Sequence, residues 1–497
     1  LLPTAPQEPG CAQFLNMKNF YVLVAGFMLF AGMHAASAQR YSRKDTAPKE
    51  EYSPMLYLIS VQDTEETEGL SAAIQSMREA AALERMAKEN AMMDYAETHR
   101  TGFQQLEKPQ FVLTSKNNKY SLAVGGMVAL RAGYDFNGIS DNIDFVPYDI
   151  PNDILNYMPG YDESNAKQKL MMDVSTSRIF VKSIANTRGL GRIQLFMDMD
   201  FRGGSEGSYT PRLRSAYVSF LGFTFGRDIT TFCDLQAGPS TVDFRGPNSY
   251  NFNFATMIRY EKRFARNHFT VGIAAEMPSV NTINDLMGYK QLQRVPDVPA
   301  YVQFAWGKNR DSHIRASGVL RTMYFHDKYK DKGISLFGWG AQVSGRIRIA
   351  RPVVLFMSGV YGEGITPYIQ DLTGSNLDLA YEGLDRDKVR AVPMWGWQAA
   401  VQVNPVGRLF ICGGYSDVRV EHERSNEVLG LYKRGEYMFG NVSYMLTPSC
   451  KIAGEFLYGT RKNTIGIKNH ANRVNLMVQY NFCLLYTSPS PRDAHES

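Results

Sequence analysis

No stretch of this sequence can cross a bilayer as a helix: the longest apolar run, residues 20–31, falls short of the roughly 20 residues such a span requires. Cysteine is scarce. Discounting both ends of the chain leaves Cys233, Cys412 and Cys450, an odd number at scattered spacing that supports neither a disulfide framework nor a zinc site. No metal or cofactor motif is present. His268, His313, His326, His422 and His470 stand apart from any Ser or Asp motif that could complete a catalytic set, so no enzyme class is indicated. The formal charge is +5 and the pI about 8.7, but the basic residues are spread along the chain instead of clustering on one helix. That distribution argues against a nucleic-acid partner.

The amino-terminal region carries an export pattern. Met17 and Lys18, the apolar run, and Ala36-Ser37-Ala38 before Gln39 follow the order of a secretory signal, with cleavage expected after Ala38. Residues 1–16 precede that start and read as a non-native leader. Residues 483–497, CLLYTSPSPRDAHES, read as a non-native tail, which places the natural end at Phe482. Residues 39–68 are polar and Pro-bearing, the composition of a flexible linker. Residues 69–100 are strong helix formers with Leu70, Ile74, Met77, Ala81, Met86, Met92 and Tyr95 near helical spacing. They are expected to form one amphipathic helix, either a lone surface helix or a short coiled coil joining three copies of the chain.

What the rest of the chain has in quantity is aromatics and glycine, 28 Tyr, 28 Phe and 42 Gly, at a mildly negative mean hydropathy. Many amphipathic strands suit that mixture better than one large dry core. From Tyr120 onward the apolar period is two. Ile193, Leu195, Met197 and Met199 alternate with Arg192, Gln194, Asp198 and Asp200; Val474, Leu476, Val478 and Tyr480 alternate with Arg473, Asn475, Gln479 and Asn481. Strands are expected near 121–136, 174–187, 190–201, 211–221, 223–232, 254–264, 268–277, 298–307, 313–326, 334–349, 353–362, 392–403, 407–418, 433–446, 450–460 and 471–482. Short turns, as at Gly189, Gly222 and Pro405, alternate with long connections, as at 137–173, 233–253, 278–297 and 363–391.

This alternation predicts an all-β fold: a transmembrane antiparallel β-barrel of about 16 strands over residues 121–482, with tight periplasmic turns, long extracellular loops and the amino-terminal helix in the periplasm. A soluble sandwich needs no such asymmetry. An energised receptor would need a folded plug of over a hundred residues before the barrel, and the segment between signal and first strand is helical and loose. A barrel this wide admits water, so a channel is expected; a structural or adhesive role for the surface loops is the alternative.

Several stretches carry a resemblance. TFCDLQAGPSTVDFRGP (residues 231–247), SRIFVKSIANTRGLGRIQLFMDMDF, RLRSAYVSF, VYGEGITPYIQD and the Gly125-Gly126 opening of the first strand resemble the DcaP-type porins. The likeness covers roughly residues 121–482. It implies a homotrimeric outer-membrane channel, embedded in outer-membrane lipid, that admits small hydrophilic and anionic solutes such as dicarboxylates. Cys233 and Leu235 depart from the family's loop motif. The loop after the fifth strand, residues 233–253, is expected to fold inward and narrow the pore.

The polar phase of the strands, with that loop, gives the pore-lining candidates: Arg178, Lys182, Arg192, Asp198, Asp200, Arg212, Arg214, Arg227, Asp234, Asp243, Arg245, Arg259, Arg315, Arg321, Arg346 and Arg348. Arginine is in excess among them. Rings of permanently charged guanidinium in a pore raise local anion concentration. Against this, water-facing positions tolerate any polar residue, and Arg can pair with Asp or Glu for stability alone. Asp234, Asp243 and Arg245 can tie the loop to the wall or touch solute.

Overall fold

A computed structural model describes residues 111–114, 119–138, 143–151, 168–205, 207–277, 289–291, 293–307, 310–327, 331–382, 385–422, 430–447 and 449–482. The expected leader, signal, linker, helix and tail all lie outside the described residues.

The barrel strands are β1 (Tyr120–Asn137), β2 (Arg178–Thr187), β3 (Gly191–Asp200), β4 (Arg212–Phe220), β5 (Phe223–Ile229), β6 (Phe254–Phe264), β7 (Phe269–Glu276) and β8 (Val298–Trp306). They continue as β9 (Ser312–Asp327), β10 (Lys332–Ala350), β11 (Val353–Glu363), β12 (Pro393–Val406), β13 (Leu409–Val420), β14 (Tyr432–Thr447), β15 (Cys450–Asn463) and β16 (Lys468–Phe482). Each pairs antiparallel with the next, and β16 returns to β1, from Gly126↔Phe482 to Asn137↔Asn472. The sheet is a closed barrel of sixteen strands, as the alternation predicted, so no edge is left with unpaired N–H and C=O groups.

The alternation runs in the sense of a membrane protein. On β16, Leu476, Val478 and Tyr480 are half exposed, while Arg473, Gln479 and Asn481 are buried. The greasy phase faces out and the charged phase in, the inverse of a soluble core. Turn chemistry fits: Leu221 and Gly222 both take positive φ, 52° and 85°, in the two-residue hairpin between β4 and β5. Gly126 is needed for a close approach, since a Cβ there would stand 2.4 Å from the Arg178 carbonyl oxygen on β2.

Apolar packing is found within the barrel, where connecting segments fold inward. Phe232, Ile365, Tyr368, Ile369, Leu372 and Tyr432 are fully or almost fully buried in one cluster, joining the loop after β5 to the loop after β11. Phe145 and Ile150, from the loop after β1, join a second cluster with Tyr437, Phe439 and Leu457 of β14 and β15. Burying each such side chain is worth about 1.5–3 kcal/mol, enough to hold the loops as fixed structure.

Candidate pore constriction

The loop after β5 runs along the inside of the opposite wall. Its first limb is fixed by Asp234, whose Oδ1 accepts from Gln236 N at 3.1 Å. Asp234 Oδ2 lies 2.8 Å from His313 Nε2 on β9 and accepts from Ser344 Oγ on β10 at 2.7 Å. Ala237 O then meets Gln398 of β12, and Ser240 O meets Asn441 of β14. At the tip, Val242 N and Asp243 N donate to the Glu455 carboxylate of β15 at 2.9 and 2.6 Å. The return limb touches Gly435 O through Asn248, Ser416 through Ser249, and Gln342 through Asn251. Burial would raise the Asp234 carboxyl, but His313 and then Arg315 overcome it and hold it below the usual carboxylate range. His313 and Ser344 both bind one Asp234 carboxylate oxygen, and the trio anchors the loop to β9 and β10.

The wall facing this loop is basic. Arg178 pairs with Asp198, Arg214 with Asp198 at 3.3 Å and Asp200 at 2.9 Å, and Arg212 with Asp200 at 2.6 Å. Arg131 of β1 reaches Asp173 at 2.9 Å. Asp144, in the loop after β1, gathers Arg202, Arg131 at 3.5 Å and Arg245 at 3.4 Å. Burial pushes the Asp144 carboxyl up, yet Arg202, Arg131 and Arg245 outweigh it and keep the group ionised. Phe244 lies among the guanidinium carbons of Arg202, Arg214 and Arg131, at 4.4, 5.6 and 5.8 Å from its ring centre.

The sequence pattern of the porin subfamily matches residues 156–480. The chain belongs to that family. This porin is similar in fold to the outer-membrane channel DcaP of Acinetobacter baumannii, with a TM-score of 0.62 and 18% identity over 73% of this chain and 97% of that one. OmpT of Vibrio cholerae matches with a TM-score of 0.46 and 13% identity, over 73% of this chain and 98% of that one. An anion-selective porin from Comamonas acidovorans matches with a TM-score of 0.46 and 11% identity, over 73% and 100%. Comparison with curated proteins finds no match. The porin is thus an outer-membrane barrel channel, and its resemblance to the DcaP type holds at the level of fold.

The porin brings Arg178, Asp198, Asp200, Arg212 and Arg214 into one ladder; Arg245 reaches Asp144, whose partner Arg202 donates its backbone N–H to Asp200 at 3.2 Å. Lys182 is buried four residues along β2 from Arg178. Arg259 pairs with Asp228 at 2.9 Å and Glu261 at 3.4 Å. Arg315 donates to Thr231 O and lies 3.5 Å over Tyr301. Arg321 is tied to Asp297 at 3.0 Å and Asp378 at 3.6 Å, beneath the loop after β11. Arg192, Arg346 and Arg348 stand apart, nearer the short-turn rim; Arg348 pairs with Asp311 at 2.6 Å. Asp243 is fixed by Phe145 N, Gly246 N and Tyr437 Oη, at 3.2, 3.2 and 3.1 Å.

Arg227 does not join them. It pairs in register with Thr256 and shares the phase of Phe223 and Phe225, whose rings are exposed on the outside. Its neighbour Asp228 takes the inward place and binds Arg259. Counting in twos from Phe223 gives this parity, which the expectation of a pore-lining Arg227 overlooked.

Residues that the sequence reading did not single out complete the site: Arg131, Asp144, Arg202, Glu455, Asp371 and Arg473, the last paired with Asp135 at 2.6 Å. Arg131 and Arg473 follow the strand parity and could have been found. Asp144 and Asp371 lie in loops where no period points at them.

Proposed function

We propose that this porin lets small hydrophilic solutes diffuse passively across the outer membrane, favouring anions such as dicarboxylates, and that the loop after β5 narrows its lumen. It works as a homotrimer, as its resemblance to the DcaP type implies, and needs no cofactor. The observation that carries the reading is the imbalance around β1 to β4, counting the loop residues packed against them. Arg131, Arg178, Arg202, Arg212, Arg214 and Arg245 are six guanidinium groups set against the four carboxylates of Asp144, Asp173, Asp198 and Asp200.

Pairing for stability alone would cancel the charge. Here the acids are covered and two of the six cations are not: the Arg212 and Arg245 side chains are 37% and 31% exposed, while those of Asp200 and Asp144 are 0% exposed and Arg131, Arg178 and Arg214 are buried behind them. A solute in the lumen meets guanidinium, and the carboxylates act from behind it to fix its direction.

Liposome swelling tests this, with dicarboxylates compared against neutral and cationic solutes of similar size. Faster entry of the dicarboxylates supports the proposal. Equal rates for all three, or faster cation entry, would overturn the anion preference and leave a non-selective porin.

A further inference from the structure

On the outer surface of the barrel, at the end where the long loops emerge, the strands carry two charged rows. Register pairs Arg419 of β13 with Arg434 of β14, Arg434 with Lys462 of β15, and Lys462 with Lys468 of β16. Four cations therefore lie side by side on four adjacent strands, spanning about 14 Å at the roughly 4.8 Å spacing of neighbouring strands. The next row toward the membrane centre places Asp417 beside Glu436 and Glu436 beside Thr460.

The outward direction follows from parity. Ser416 and Tyr437 point inward, since they bind Ser249 and Asp243 of the constriction loop. Asp417 and Glu436, their sequence neighbours, thus belong to the phase of Trp397, Met438 and Phe456, which face lipid. Below the charged rows come Tyr415 and Tyr458, aromatic residues of the kind that mark the edge of the apolar band. The cation row accordingly stands just above the hydrocarbon, at the depth of headgroups.

The acids are concealed. Arg434 binds Asp417 at 2.6 Å and Glu436 at 2.9 Å, Arg419 reaches Asp417 at 3.3 Å, and Lys468 binds Glu436 at 2.8 Å. The Asp417 and Glu436 side chains are 3% and 13% exposed, against 42% for Arg419 and 50% for Lys468. Arg419 is also spread over Trp395, 4.8 Å from the ring centre, and Lys462 is exposed with no ion-pair partner among the described residues. Glu421, one position further out, is occupied by the indole N–H of Trp395 at 3.2 Å.

We infer that this row is a binding site for the phosphorylated headgroup of an outer-leaflet glycolipid. A planar guanidinium held from behind by a carboxylate keeps its remaining donors aimed outward, the geometry suited to phosphate oxygens. Flanking ammonium groups add charge without demanding a single orientation. A run of four cations matches a headgroup with two phosphates, and the tyrosines beneath it lie against the upper acyl chains.

The test is native mass spectrometry of the detergent-purified porin with added lipid A, either carrying both phosphates or dephosphorylated. The bisphosphorylated form is retained by the wild type, and retention falls about tenfold or more in Arg419→Gln/Lys462→Gln, because charge near a headgroup supplies the attraction. Arg419→Lys/Lys462→Arg keeps it. Single-channel conductance is unchanged in both variants, since neither residue faces the lumen. Lys468→Gln, also weaker in retention, serves as an independent variant. Equal retention of dephosphorylated lipid would overturn the site, as would wild-type retention by the Gln variants. A change in oligomer mass with lipid binding intact would also overturn it and make the row a contact between copies.

Discussion

Glu455 accepts the backbone N–H of Asp243 at 2.6 Å, joining the tip of the loop that leaves β5 to a strand far around the barrel. The same carboxylate takes Val242 N at 2.9 Å, so one side chain ends two loop donors that would otherwise be buried without partners. The loop is thereby a fixed part of the lumen.

Glu455→Ala should strand both donors, at a cost of about 1–3 kcal/mol each. Fold and outer-membrane insertion persist, but the loop tip loosens. Single-channel records should show larger mean conductance and more open-channel noise than wild type, together with faster hydrogen exchange at Val242 and Asp243. Wild-type conductance and noise would mean that the loop is held without Glu455.

Arg212 and Arg227 separate lumen charge from surface charge. Arg212→Gln removes a partly exposed guanidinium from the wall, whereas Arg227→Gln alters the outward phase. The first should reduce anion preference, read as a shift of reversal potential toward zero; the second should leave it unchanged. An equal effect of the two would show that the selectivity does not come from the β1 to β4 wall.

Asp371, in the loop after β11, lies behind Tyr148 N, Asn248 Nδ2 and Tyr432 Oη. Burial pushes its carboxyl up to about 6, and Asp149 adds to the rise against those donors. A raised carboxyl favours the folded loop below its ordinary value of 3.8, and that advantage is lost as pH rises through about 6. Hydrogen exchange across residues 366–378, corrected for intrinsic rates, should be slower at pH 5 than at pH 8. Asp371→Asn should flatten this dependence; a wild-type loop better protected at pH 8 would reverse the sign of the account.

The barrel was legible because lipid imposes a strict rule on each strand. Leu195 and Met197 must face out if Asp198 and Asp200 face in, and that parity is written in consecutive residues. The inward course of the loop after β5 was readable only through its resemblance to a family motif. Its anchors were not, since Glu455 lies about two hundred residues from Asp243 and looks like any other lumen-phase polar residue. Asp144 presents the same difficulty: only folding brings Arg131, Arg202 and Arg245 around it. Arg227 marks the opposite failing, a charge assigned inward by its type when its place in the strand sent it out. The expected amino-terminal helix lies outside the described residues.

The central claim, that the lumen favours anions because its exposed charges are guanidinium, is met most directly by single-channel recording of residues 39–482 in a planar bilayer under a salt gradient. The account predicts a reversal potential of anion-favouring sign, with openings in three equal steps. A cation-favouring reversal would contradict it, and an absence of conductance would move the adhesive reading of the surface loops to the front.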